Sequence, residues 1–230
     1  MEDFTYNFIR KEGKKSYIKP GSYRPISISD SYFGKILERI ITNRLKTFLS
    51  LEQINDEEQE GFTSGRSTTR IYLFRLLADL NEIKRQKLAC MILFLDFEKA
   101  FDSVHIPTLI TKLSKMGVCR LMFRLIHNFL VSRKVCLKTN NFIGTARDCF
   151  LYGLPQGSVI SPLLFIIYVS DMTKDFPDKI KHCMACYKFA DDGTMLISHK
   201  EISKCYRLMQ TLCDHKTKWC VKDKLVRYKL

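Results

Sequence analysis

The sequence predicts an α+β fold, and three observations carry that expectation. Apolar residues recur at helical spacing over residues 31–50 and again over 202–219. Ala89 to Leu95 is a short unbroken apolar run that stops at Asp96, as a buried strand does. His182 to Ala190 and Thr194 to Ser198 read as two strands joined by the turn Asp191-Asp192-Gly193, an antiparallel hairpin tipped by two acids. At 230 residues the chain suits one large domain or two interleaved subdomains. With 46% hydrophobic and 27% charged residues it is neither collagen-like nor disordered.

The elements follow in order. Phe33, Ile36, Leu37, Ile40, Ile41, Leu45, Phe48 and Leu49 mark an amphipathic helix, with Ser29, Asp30 or Ser31 as N-cap. A second helix is expected from Ser67 to about Arg85. After the strand ending at Asp96, Pro107 suits a first helical turn and Gly117 a helix C-terminus. Leu121, Met122, Leu125, Ile126, Phe129 and Leu130 mark the next helix. Val135, Leu137 and Thr139 alternate with polar residues before Asn140-Asn141, a hairpin turn. Ser158 to Asp171 reads as a buried helix with Pro162 in its first turns. In the last helix Ile202, Cys205, Tyr206, Met209, Leu212, Cys213 and Trp219 form one core-facing stripe.

Charge restricts the class of partner. Lys and Arg number 38 against 24 Asp and Glu, a formal +14. The last 31 residues hold nine basic and three acidic residues. Such a balance points to a polyanion. The start, Met1-Glu2-Asp3-Phe4, has no signal-peptide pattern, and strictly apolar stretches such as Leu163–Val169 are far short of a bilayer span, so no membrane partner is expected and nucleic acid is favoured. Nine cysteines without a secretory signal read as buried thiols in a reducing compartment. Cys183-x-x-Cys186 lacks a second half with zinc-site spacing and reads as strand packing.

Three carboxylates stand beside apolar strands: Asp96 at a strand end, and Asp191 with Asp192 at a hairpin tip. Taken alone, Asp-Asp-Gly is an ordinary turn. Ionising clustered, partly buried carboxylates together calls for a cation of high charge. Oxygen ligands without histidine favour Mg²⁺ or Mn²⁺, and a pair of such ions is a device for in-line phosphoryl transfer. This predicts Asp96 beside Asp191 across adjacent strands. Gly153-Leu154-Pro155-Gln156-Gly157-Ser158 opens the buried helix, its glycines permitting close backbone approach and Gln156 able to hydrogen-bond a substrate.

Together these segments resemble a known family. Leu95-Asp96-Phe97-Glu98-Lys99-Ala100-Phe101-Asp102, Gly153-Leu154-Pro155-Gln156-Gly157-Ser158 running on to Pro162-Leu163-Leu164-Phe165, and Phe189-Ala190-Asp191-Asp192 look like successive polymerase motifs of reverse transcriptases. Ser22-Tyr23-Arg24-Pro25-Ile26-Ser27 and Gly61-Phe62-Thr63-Ser64-Gly65-Arg66-Ser67-Thr68 resemble fingers motifs of the non-LTR, jockey-like branch. The resemblance covers about residues 9–222. It implies a right-hand polymerase with a palm of antiparallel sheet backed by helices. Fingers would span 1–88, palm 89–117, a fingers/palm connection with a hairpin 118–150 and palm again 151–222, with 223–230 leading towards a thumb that is absent. It also implies RNA-directed DNA polymerase activity on an RNA template, a DNA primer and dNTPs, with Mg²⁺ or Mn²⁺ as cofactor, in an intracellular and nuclear setting.

Residue by residue, the resemblance makes Asp96, Asp191 and Asp192 the catalytic carboxylates, with the backbone carbonyl of Phe97 as a further metal ligand. Phe101 matches the aromatic beneath the sugar, where a 2′-hydroxyl would clash. Gln156 and Gly157 match the loop that touches the nucleotide, and Gly157 the template too. Lys11, Lys14 and Arg24 match cations that hold the triphosphate. Arg66, just before an expected helix N-terminus, suits template backbone. The chain departs from the family at Glu60, Thr63, His105 and Gly193, which bears on template affinity more than on chemistry. A second expectation is an inert, nucleic-acid-binding remnant of such a polymerase. A two-metal nuclease ranks third, since no nuclease needs the Gly-Leu-Pro-Gln-Gly loop or the aromatic at Phe101.

Overall fold

A computed structural model of the chain describes residues 3–29, 32–52, 54, 58–61, 69–139, 142–149, 151–174, 176–225 and 228–229. In chain order these form β1 (Asp3–Arg10), β2 (Tyr23–Ser29), α1 (Tyr32–Leu51), α2 (Thr69–Arg85), β3 (Ala89–Phe97), α3 (Ile106–Lys115), α4 (Arg120–Val131), β4 (Lys134–Thr139), β5 (Phe142–Ile143), β6 (Arg147–Asp148), α5 (Ser161–Val169), α6 (Asp178–Lys181), β7 (Met184–Phe189), β8 (Asp192–His199), α7 (Ile202–Lys222) and β9 (Tyr228–Lys229). They divide into two compact units, Met1–Ile54 with Val104–Ile167, and Asn55–Ser103 with Tyr168–Leu230.

In the first unit the sheet runs β2-β1-β4-β5, with β6 also on β4. β1 pairs antiparallel with β2 and parallel with β4. Helix α1 forms as its apolar period predicts, but it buries a different stripe. Gly34, Glu38, Ile41, Thr42, Leu45 and Leu49 face inward, while Phe33, Ile36, Leu37 and Ile40 are exposed. Glu38 lies on that inward stripe, its carboxylate accepting hydrogen bonds from Ser158 Oγ and, at 2.7 Å, from the N–H of Val159, so the buried acid is satisfied. His105, one of the departures from the family, caps α3 by accepting from the N–H of Thr108 at 3.3 Å. Gly117 follows α3 at φ +78, as expected of a helix C-terminus.

The second unit is built on the antiparallel sheet β7-β8-β3-β9. Register places Cys90 and Ile92 of β3, Leu196 of β8, and Ala185 and Tyr187 of β7 on one face, where they pack with Tyr72, Leu76, Leu80 and Ile83 of α2. The other face carries Cys186, whose thiol is raised to about 12 chiefly by burial and also feels Lys216 of α7. Helix α7 therefore backs the second face, burying Cys205, Met209, Leu212, Lys216, Trp219 and Cys220. Its expected stripe is only partly inward, since Ile202 and Tyr206 are exposed. Trp219 is anchored by a hydrogen bond from Nε1 to Asp171 at 3.0 Å.

Several boundaries differ from expectation. β3 continues past Leu95 to Phe97, because Asp96 pairs with both β8 and β9 and Phe97 pairs with β9. His182 follows a helical turn rather than opening a strand. Asp192 and Gly193 belong to β8, so the turn is Ala190-Asp191 and not Asp191-Asp192-Gly193. The helix expected from Ser158 is shorter, Ser161–Val169. All nine cysteines are free, and only Cys186, Cys205 and Cys220 are buried. Among the described residues no helix is long and apolar enough to cross a membrane. Arg66, Thr63 and the expected turn Asn140-Asn141 lie outside the described residues.

Candidate active site

The carboxylate group is assembled within the second unit by strand register. Asp96 of β3 pairs directly with Asp192 of β8, and side chains of directly opposed residues share a face with close Cβ atoms. The expected neighbour was Asp191. It lies instead one residue earlier, at the tip of the two-residue loop that joins Phe189 to Asp192. The same sheet face carries Phe94, 64% exposed, beyond the part covered by α2. Among the described residues, α2 covers one end of this face, and Phe94, Asp96 and Asp192 are exposed at the other. Next to it Thr194 is buried and hydrogen-bonded to the hydroxyl of Tyr72.

Three negative charges in this space do not sit comfortably. Asp192 has its carboxyl pushed above the ordinary aspartate range by burial first, then by Asp191 and Asp96. A folded state that holds this proton more tightly than the unfolded chain is stabilised by it at low pH. That stability is lost as pH rises through the folded value. In metal-free buffer, Asp192→Asn should therefore melt higher than the wild type at pH 7, with the gap closing below about pH 4. A gap independent of pH, measured by thermal denaturation from pH 3 to 7, would rule out this origin.

The donor set fits a hard divalent cation, being carboxylate oxygen crowded enough to need positive charge. Among the described residues, no three His, Cys, Asp or Glu side chains enclose an ion by themselves. That is compatible with Mg²⁺, which keeps waters and takes substrate phosphate oxygens in its shell. Phe97 is buried at the end of β3. Phe101 is half-buried in the turns that follow, where Lys99 has φ +53 and the N–H of Ser103 bonds the carbonyl of Lys99 at 2.9 Å.

The remaining candidates belong to the first unit. In the loop before α5, Gly157 has φ +107, and a Cβ there would stand 2.7 Å from the carbonyl oxygen of Ser27. The loop is pinned to β2 by the N–H of Ser27 donating to the carbonyl of Gln156 at 2.6 Å. It is pinned again by buried Arg133, which donates to the carbonyl of Gly153 at 2.8 Å. Lys11, Lys14 and Arg24 gather on the β1–β2 hairpin. Lys14 and Arg24 are exposed, and Lys11 is half-buried with its N–H bonded to Ser22 at 2.9 Å. That hairpin also carries Arg10, Lys15 and Lys19.

Sequence reasoning missed Glu38 and Gln59, whose partners lie more than a hundred residues away, and Arg133, whose partner Gly153 lies 20 residues on. Only Glu38 left a signal, an acid at i, i+3 and i+7 spacing with Ile41 and Leu45.

A family model described as "Reverse transcriptase (RNA-dependent DNA polymerase)" matches residues 9–226. The chain is 31% identical over 216 residues to the probable RNA-directed DNA polymerase from transposon BS of Drosophila melanogaster, covering 92% of this chain and 23% of that protein. It is 31% identical over 215 residues to the RNA-directed DNA polymerase from mobile element jockey of the same species, with coverage of 92% and 23%. The chain thus spans about a quarter of the curated relatives it matches. Among solved structures, apo telomerase from Candida tropicalis truncated from its C-terminal domain superposes with TM-score 0.69 at 11% identity, covering 99% of this chain and 48% of that one.

Proposed function

Because this chain belongs to the reverse transcriptase family, we propose that it carries the nucleotidyl-transfer centre of a non-LTR retrotransposon's RNA-directed DNA polymerase. The observation that supports this most is the strand register that opposes Asp96 to Asp192, with Asp191 at the adjoining hairpin tip. We assign 1–88 to fingers, 118–150 to the connection between fingers and palm, and 89–117 and 151–222 to palm. RNA template, DNA primer and dNTPs are the substrates.

When bound, Mg²⁺ or Mn²⁺ polarises the phosphoryl group and neutralises the charge that builds on it. The chain's contribution is position and ligand charge. Asp96 and Asp192 are held by a paired sheet, so their carboxylates are placed without reorganisation as the reaction proceeds. Asp191 adds a third negative group, and the carbonyl of Phe97 a neutral oxygen. Lys11, Lys14 and Arg24 bind triphosphate, Gln156 contacts the nucleotide, and Gly157 lets backbone approach nucleotide and template. Arg66 contacts template backbone.

Phe101 excludes the 2′-hydroxyl in this reading. Phe101→Ala should then raise the ratio of kcat/KM for rNTP over dNTP by roughly tenfold or more, the scale of a small steric group in a pocket. An unchanged ratio would remove Phe101 from the sugar site. The function itself is tested by primer extension with the chain, an RNA template, a DNA primer, dNTPs and Mg²⁺. Template-directed DNA product is expected. No product with either Mg²⁺ or Mn²⁺ would contradict the reading.

A further inference from the structure

The residue before the acid pair has a backbone conformation that residues with a Cβ avoid. Ala190 sits at φ +57 in the β7–β8 turn, and such a conformation persists only where the surroundings over-determine it. Those surroundings come from residues 58–61 of the same unit. The side-chain Oε1 of Gln59 accepts from the N–H of Ala190 at 2.9 Å and from the N–H of Gly61 at 2.9 Å. Its Nε2 donates to the carbonyl of Ala190 at 3.3 Å. Gln59 is 1% exposed.

The segment that carries it is itself fastened. The N–H of Lys188 donates to the carbonyl of Glu58 at 2.8 Å, and the N–H of Glu60 donates to the carbonyl of Lys188 at 2.8 Å. The buried Lys188 ammonium meets the Glu58 carboxylate at 2.9 Å. One side chain therefore grips both polar groups of Ala190. The carbonyl it holds belongs to the peptide that carries Asp191. The amide offers an acceptor and a donor together, which an ionised carboxylate or a thioether of the same length does not, so neither can reproduce the grip.

We propose that Gln59 is a positioning residue for the acidic hairpin, locking the Ala190–Asp191 peptide so that Asp191 and Asp192 present their carboxylates to the same ion. The inference rests on the reading of Asp96, Asp191 and Asp192 as the ion-holding set.

The test follows two readouts in the full chain, amide hydrogen exchange by NMR without metal and Mn²⁺ affinity by electron paramagnetic resonance. In Gln59→Met, exchange at Ala190 should quicken at least tenfold while Leu196 and Ile197 in β8 stay within twofold of wild type. The Mn²⁺ dissociation constant should rise at least fivefold. A folded Gln59→Met with wild-type exchange at Ala190 and wild-type Mn²⁺ affinity overturns the proposal.

Should Gln59→Met unfold, Gln59→Asn decides by the same thresholds, since its amide is one methylene too short to hold both groups. If both variants unfold, Gln59 serves folding and the proposal is overturned. Asp191→Asn separates the two layers of the argument. Unchanged Mn²⁺ affinity there defeats the reading of the carboxylates, whereas weakened binding there with wild-type binding in Gln59→Met defeats only the role of Gln59.

Discussion

Asp191→Asn is expected to lower primer extension by roughly 10²–10³-fold, the several kcal/mol that charge stabilisation by a bound metal supplies to phosphoryl transfer. The substitution keeps side-chain volume and removes one ligand charge at the tip of the hairpin. Asp191 lies in a two-residue loop between paired strands, so the fold should survive the change. Affinity for an RNA–DNA hybrid should move little, because the cations proposed to meet phosphates are other residues. Steady-state extension and hybrid binding, measured side by side, check the claim. Extension within a few-fold of wild type would show that Asp191 is only a turn residue.

The second large effect concerns stability. A Cβ placed on Gly61 would stand 2.2 Å from the backbone nitrogen of Ala190 and 3.0 Å from its Cα. Backbone held by the Gln59 amide and by strand pairing cannot yield cheaply. Gly61→Ala should therefore cost about 3 kcal/mol, near the upper end for overpacking, and lower the melting temperature by about 6–12 °C. Gly193→Ala is the contrast. Its added Cβ would meet Leu95 Cβ at 3.6 Å, an ordinary contact, so the variant should match or slightly exceed wild-type stability through a less flexible unfolded chain. Equal melting of the two variants would show that close approach at Gly61 is not what its lack of a side chain serves.

What the sequence made legible was whatever local pattern carries. The apolar run ending at Asp96 and the hairpin at Asp191 could be seen because strand burial and turn chemistry leave short-range marks. Register could not, and it decides that Asp192 rather than Asp191 opposes Asp96. The β1–β2 hairpin is absent from the sequence expectations although Phe4, Tyr6 and Phe8 alternate with Asp3, Thr5 and Asn7; residues 11–22 separate its strands, so no short hairpin turn marks the pair. Helix α1 was found by its period, yet its inward stripe was misjudged, since nothing near Glu38 in sequence shows that Ser158 and Val159 receive it. The same holds for Gln59, whose partner Ala190 lies at the far end of the chain. Polar contacts between distant segments fix orientation within a fold, and composition and periodicity do not encode them.

Asp96, Asp191 and Asp192 are proposed as one ion-binding group. The most direct measurement is anomalous diffraction from crystals of the chain soaked in Mn²⁺ with a dNTP. A manganese peak is expected with carboxylate oxygens of Asp96 and at least one of Asp191 and Asp192 in its first shell, at about 2.0–2.6 Å. Manganese found only elsewhere, with these three carboxylates bare, would contradict it.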